Sequence, residues 1–98
     1  MSQIDRSQIE WALAQKGFIR KDGSHRYFHH QYNGKITGIK TYTSHGSQYK
    51  TYGDDLLKAM KKELRLDTLQ EVRNLLLCPM DTDAYNQKLK SKGLIPSF

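Results

Sequence analysis

The chain has 98 residues, which fits one domain with a single compact core burying roughly 60–65% of its unfolded surface and leaving little room for a deep substrate cavity. Sixteen Lys and Arg against ten Asp and Glu give a net charge of +6, which attracts polyanions, although the same excess also suits an acidic protein partner or a solvated face. The lone cysteine, Cys78, closes no internal disulfide, and no apolar run approaches the ~20 residues that span a bilayer, so a disulfide-stapled scaffold and a transmembrane helix are excluded and a cytoplasmic protein without membrane contact or signal peptide is expected.

Residues 5–16 place Ile9, Ala12 and Leu13 at helical spacing, with Ser7 and Glu10 spaced as a capping box, and predict a first helix that Gly17 stops. A short strand is predicted at 18–21. Asp22-Gly23 is a turn signal, and residues 24–32, with Tyr27, Phe28 and Tyr32, predict a second strand. Asn33-Gly34 is the strongest hairpin signal in the chain and leads into a Thr-rich third strand at 35–44. Ile36 and Ile39 are out of phase there for a period of two, which a bulge near Gly38 would reconcile.

Residues 45–53 read as a polar loop. A second helix is predicted at 54–65, with Leu57, Met60 and Leu64 on one stripe, Asp54 and Asp55 in the first turn, and Lys58, Lys61, Lys62 and Arg65 making the outer face basic. Thr68 and Glu71 occupy capping-box positions before a third helix that Pro79 stops. Its Leu75-Leu76-Leu77 run exceeds what one face needs; it is either buried between neighbours or a seam of a homodimer. A last helix is predicted at 83–92, ended by Gly93 with Leu94 placed for a Schellman contact. The order is that of an α+β domain: an α-β-β-β-α core whose three-stranded antiparallel sheet is covered on one face by helices, plus two C-terminal helices.

Gly17-Phe18 after the first helix, Gly23-Ser24-His25-Arg26 after the first strand, His45-Gly46 after the third and Gly53 ahead of Leu56-Leu57 together resemble the HicA family of toxin ribonucleases, over roughly residues 6–66. The resemblance implies a double-stranded-RNA-binding-domain-like fold over 1–66, with 67–98 as a helical extension packed on the same domain. It also implies cleavage of messenger RNA and inhibition by a HicB-like antitoxin. The family's catalytic histidine lies in the Gly-Ser-His turn, so that role falls on His25. The extension would cap the sheet, form a dimer contact or replace an antitoxin contact.

Histidine exchanges protons near neutral pH, and RNA cleavage needs a base for a ribose 2′-hydroxyl. Arg20, Lys21 and Arg26 lie close in sequence to His25 as charge stabilisers, and the Gly23 and Ser24 amides are candidates to face a phosphate. A histidine at a strand start can equally serve only to hydrogen-bond its turn. Tyr49, Lys50 and Tyr52 are the preferred aromatic and basic RNA contacts, because a polar loop offers them little core to join. His29 and His45 are second acid–base candidates. His29 and His30 point to opposite faces of a strand, and no Cys-x-x-Cys or helical His pair is present, so no metal and no cofactor is expected. Trp11 is expected at the margin of the packed face, as a core-edge residue or a partner contact.

Overall fold

The computed structural model describes residues 3–44, 46, 49–77 and 79–96; His45 and Cys78 lie outside that set. In chain order the elements are β1 (Ile4–Asp5), α1 (Arg6–Gln15), β2 (Phe18–Asp22), β3 (Arg26–Tyr32), β4 (Lys35–Thr43), β5 (Thr51–Tyr52), α2 (Asp54–Glu63), α3 (Leu69–Leu77) and α4 (Thr82–Ser91). Strands β2, β3 and β4 form an antiparallel sheet in that order, and the chain is an α+β protein as its pattern predicts. Two two-residue strands, β1 and β5, pair Ile4 with Tyr52 and Asp5 with Thr51. They correct the reading of 45–53 as loop throughout; two residues are too few to show a period.

The β3–β4 hairpin turns on Asn33-Gly34, both with positive φ (52° and 78°), and pairs Tyr32 with Lys35 across a two-residue loop. Further along, His30 alone stands opposite Thr37, Gly38 and Ile39, so the ladder resumes with His29 opposite Lys40. Gly38, at φ 91°, takes the left-handed turn this bulge requires. The two isoleucines nonetheless face opposite ways, Ile39 5% exposed in the core and Ile36 47% exposed outside it, so the bulge does not bring them into phase: its two extra residues leave the period of two unchanged.

Alternation along the strands sends Phe18, Phe28, His30, Ile39, Thr41 and Thr43 inward, where helices cover them. One core cluster joins Phe18, Phe28 and Ile39 of the sheet to Leu13, Leu57, Leu76 and Leu89 of the four helices. The C-terminal helices therefore share the core of residues 1–66. Each large side chain fully buried contributes about 1.5–3 kcal/mol. Leu75 and Leu76 are buried while Leu77 is exposed, so most of the leucine run is spent inside. Trp11 stands outside the packed face, exposed to solvent.

Buried polar groups tie the helices together. Lys16 is buried, and its ammonium donates to the carbonyls of Leu75 and Met80, both at 2.6 Å, capping the end of α3 from the end of α1. The Tyr85 hydroxyl donates to the Leu64 carbonyl at 2.8 Å, and burial drives its pKa upward. The Thr68–Glu71 capping box forms in both directions. The Ser7–Glu10 box does not: Asp5 is the N-cap of α1 without a side-chain bond, and Glu10 is engaged by the sheet instead. At α4, Asp81 caps the Ala84 amide at 2.8 Å, and Leu94 closes the Schellman bond to Leu89. Helix α2 stops short of 65 because Arg65 itself takes φ 63° and Leu66 bonds back to Lys61. No helix among the described residues is long and apolar enough to cross a membrane.

Candidate functional site

Among the described residues, the buried positions of β2, β3 and β4 all lie on one face of their sheet, and no helix covers the other. Its residues follow from strand periodicity: Ile19 and Lys21 on β2, Tyr27, His29 and Gln31 on β3, Lys40 and Tyr42 on β4. The register sets Lys21, Tyr27 and Tyr42 in one row across the strands, and Ile19, His29 and Lys40 in the next.

His25 closes the three-residue loop Gly23-Ser24-His25, since Asp22 pairs with Arg26 and β3 begins only there. It lies two residues before Tyr27 and shares its face. Its half-buried ring stacks on Tyr42 with centroids 4.8 Å apart and planes inclined by 27°. It meets the edge of Tyr27 at 6.0 Å. Tyr27 lies 5.9 Å from Tyr42 and 6.4 Å from His29, so four rings run continuously along the face. Contacts of this kind are worth about 0.5–1.5 kcal/mol beyond area burial. Lys40 sets its ammonium 5.7 Å from the Tyr27 centroid, and the Ser24 and Tyr27 hydroxyls are hydrogen-bonded at 3.2 Å. Partial desolvation, then the charges of Lys21 and Lys40, hold the His29 pKa below the ordinary histidine value.

Of the charge stabilisers read from sequence, only Lys21 shares this face. Arg20 points the other way and forms an exposed fork with Asp22 at 2.8 and 3.1 Å. Arg26 is also on the helix side, held by both Glu10 oxygens at 3.0 and 2.9 Å, while Glu10 accepts the Thr43 hydroxyl at 2.7 Å. Period two decides both cases, because residues adjacent in sequence on a strand lie on opposite faces. The Gly23 amide donates to the His25 carbonyl at 2.8 Å and serves the loop rather than a phosphate; Ser24 is exposed beside it.

The loop residues chosen as RNA contacts also separate. Tyr52 is 5% exposed, and its hydroxyl accepts the Ser44 amide at 3.2 Å, so it belongs to the core. Tyr49 is exposed, but it borders a groove with Asp54 and Asp55, a poor surface for phosphate. Lys50 borders a cavity of about 300 Å³ at the start of α1 with Arg6, Glu10 and Arg26. None of the three shares a ring or hydrogen-bond contact with His25. Tyr42 and Lys40 occupy the place intended for those three, beside His29, already an acid–base candidate from the sequence; cross-strand register was the signal that could have found Tyr42 and Lys40.

His30, next to His29, is fully buried. Its ring nitrogens bond Thr37 at 3.0 Å and Asn86 at 2.9 Å, and Phe18 and Tyr85 pack on its ring at 5.2 and 5.3 Å. Burial lowers its pKa, with Asn86 opposing. Among the described residues, no three His, Cys, Asp or Glu side chains lie close enough to hold a metal. Comparison of the chain with family models, with curated proteins and with solved structures returns no match in any of the three.

Proposed function

We propose that this protein acts on RNA across the open face of its three-stranded sheet, as a HicA-like endoribonuclease of the cytoplasm in which His25 transfers the proton. The observation that carries this reading is the His25 ring stacked on Tyr42, at the end of an aromatic row flanked by Lys21 and Lys40. Exposed rings stack bases and nearby ammonium groups hold phosphates, the combination that single-strand sites use. Neither lysine forms an ion pair with a described residue, so both are available to a polyanion.

In this mechanism the His25 imidazole takes the proton of a ribose 2′-hydroxyl. The 2′ oxygen attacks the adjacent phosphorus, the bond from phosphorus to the 5′ oxygen breaks, and that oxygen takes up a proton as it leaves. The products are a 2′,3′-cyclic phosphate and a 5′-hydroxyl. A positioned base contributes about 10²–10⁴-fold, and Lys21 stabilises charge on the phosphate oxygens. A HicB-like antitoxin would act by covering the same face.

A second reading, a binding module that does not cut, is favoured by one observation: no described residue hydrogen-bonds the His25 ring, whereas a catalytic base is ordinarily oriented by a third group. Incubation with single-stranded RNA between about pH 6 and 8 separates the two. The nuclease reading expects cyclic-phosphate ends, a loss of about 10²–10⁴-fold in His25→Ala, and no cutting where the 2′-hydroxyl is replaced by hydrogen. RNA bound but left intact selects the binding module. Neither binding nor cutting contradicts both.

A further inference from the structure

The protein's cations fall into two groups. Arg20, Arg26, Arg73, Lys88 and Lys92 each hold a carboxylate, and Lys16 is buried on two carbonyls. On α2, by contrast, Lys58, Lys61 and Lys62 form no ion pair with any described residue. Together with Ala59 and Glu63 they line a groove of about 460 Å³.

A smaller cavity of about 60 Å³ adjoins this groove. It shares Ala59 and Glu63 with it and is otherwise lined by Tyr42, Tyr52, Leu56 and Met60. Tyr42 therefore borders both regions: its ring stacks on His25 on the open face, and it forms one wall of the passage towards α2. Among the described residues, Glu63 is the only carboxyl lining the groove. It is half-buried and accepts the Thr41 hydroxyl at 2.6 Å, and burial pushes its pKa up.

We infer that a single RNA strand lying on the open face continues over the edge of β4 at Tyr42 and lays its next phosphates along Lys58, Lys61 and Lys62. The inference rests on the RNA reading above and extends it from one face to a path of two segments. A single strand can bend over a strand edge. A double helix, stiff over ~50 nm in the case of DNA, cannot follow that turn without a large bending cost. The path therefore selects single-stranded over duplex RNA, and long over short strands.

Binding of oligouridylates of about 4 and about 12 nucleotides to the full chain, by fluorescence anisotropy over a salt series, tests it. The variant is Lys58→Ala/Lys61→Ala/Lys62→Ala, which places a strong helix former at three helix positions, with a thermal melt to check folding. The expected result is unchanged binding of the short strand. Binding of the long strand should fall by about tenfold or more, and its log–log salt slope should become shallower by about 2, from three contacts at ~0.7 each. Equal binding of the long strand by variant and wild type overturns the path, and so does an equal loss for both lengths. If the wild type binds neither strand, the RNA reading itself fails and the path falls with it. Short-strand binding without a lysine effect on the long strand removes the path alone.

Discussion

His29 and His30 are neighbours in one strand and live in different chemistry. His30 faces the helices, buried and held by Thr37 and Asn86 between Phe18 and Tyr85. His29 faces solvent in a row of rings flanked by lysines. The contrast extends to the two faces of the sheet. Inward polar groups are matched to partners: Arg26 and Thr43 to Glu10, Thr41 to Glu63. Outward cations at Lys21 and Lys40 form no ion pair with a described carboxylate.

The largest effect that separates the faces is truncation of an aromatic on each. Phe28→Ala removes a fully buried ring and should cost about 3–5 kcal/mol in urea unfolding. Tyr42→Ala, on a side chain 43% exposed, should cost well under half of that while weakening single-stranded RNA binding by about 1–3 kcal/mol. Equal stability losses, or RNA binding indifferent to Tyr42, would erase the distinction.

A second test uses pH. Burial depresses the His30 pKa in the folded protein, so the unfolded chain takes up that proton more readily. The contribution is complete above the ordinary histidine value of ~6.5 and is lost as pH falls below it. Stability measured from about pH 8 to 5 should decline on the acid side, and His30→Asn should flatten that decline. His29→Asn should leave most of it, since its ring is largely in water. A decline unchanged in His30→Asn would show that other groups drive it.

The smallest effect compares Arg20 with Lys21, adjacent in sequence and on opposite faces. Lys21→Ala should make the salt dependence of RNA binding shallower by about 0.7, the share of one phosphate contact. Arg20→Ala removes an exposed fork to Asp22 and should leave the slope unchanged. Equal effects of the two would mean that net charge, and not the open face, draws the RNA.

Much of this architecture was legible in the sequence. Asn33-Gly34 marked the hairpin and Thr68 with Glu71 marked a cap that forms; a bulge does fall at Gly38, but not one that brings Ile36 and Ile39 into phase. What failed did so where a distant partner outbid a local signal. Glu10 has capping-box spacing from Ser7, but Arg26 and Thr43 claim it across the sheet. Tyr52 sits in a polar stretch, but pairing with Ile4 draws it inside.

At the site, the loop position of His25 was legible and its neighbours were not. Proximity in sequence nominated Arg20 and Arg26, which the pleat turns away. Tyr42 comes opposite Tyr27 only because the bulge inserts two extra residues in β4; an unbroken ladder from the Asn33-Gly34 turn would have put Lys40 there. Two residues preserve the face but change the partner, and hydrophobic pattern alone does not register such a shift.

The central claim is that the open face, and not the helical side, meets RNA. Titrating isotope-labelled protein with a short single-stranded RNA and following the aromatic resonances addresses it most directly. The account predicts that His25, Tyr27, His29 and Tyr42 shift together while His30 and Tyr85 stay in place. Shifts confined to α3 and α4, or none at RNA concentrations well above those of the protein, would contradict it.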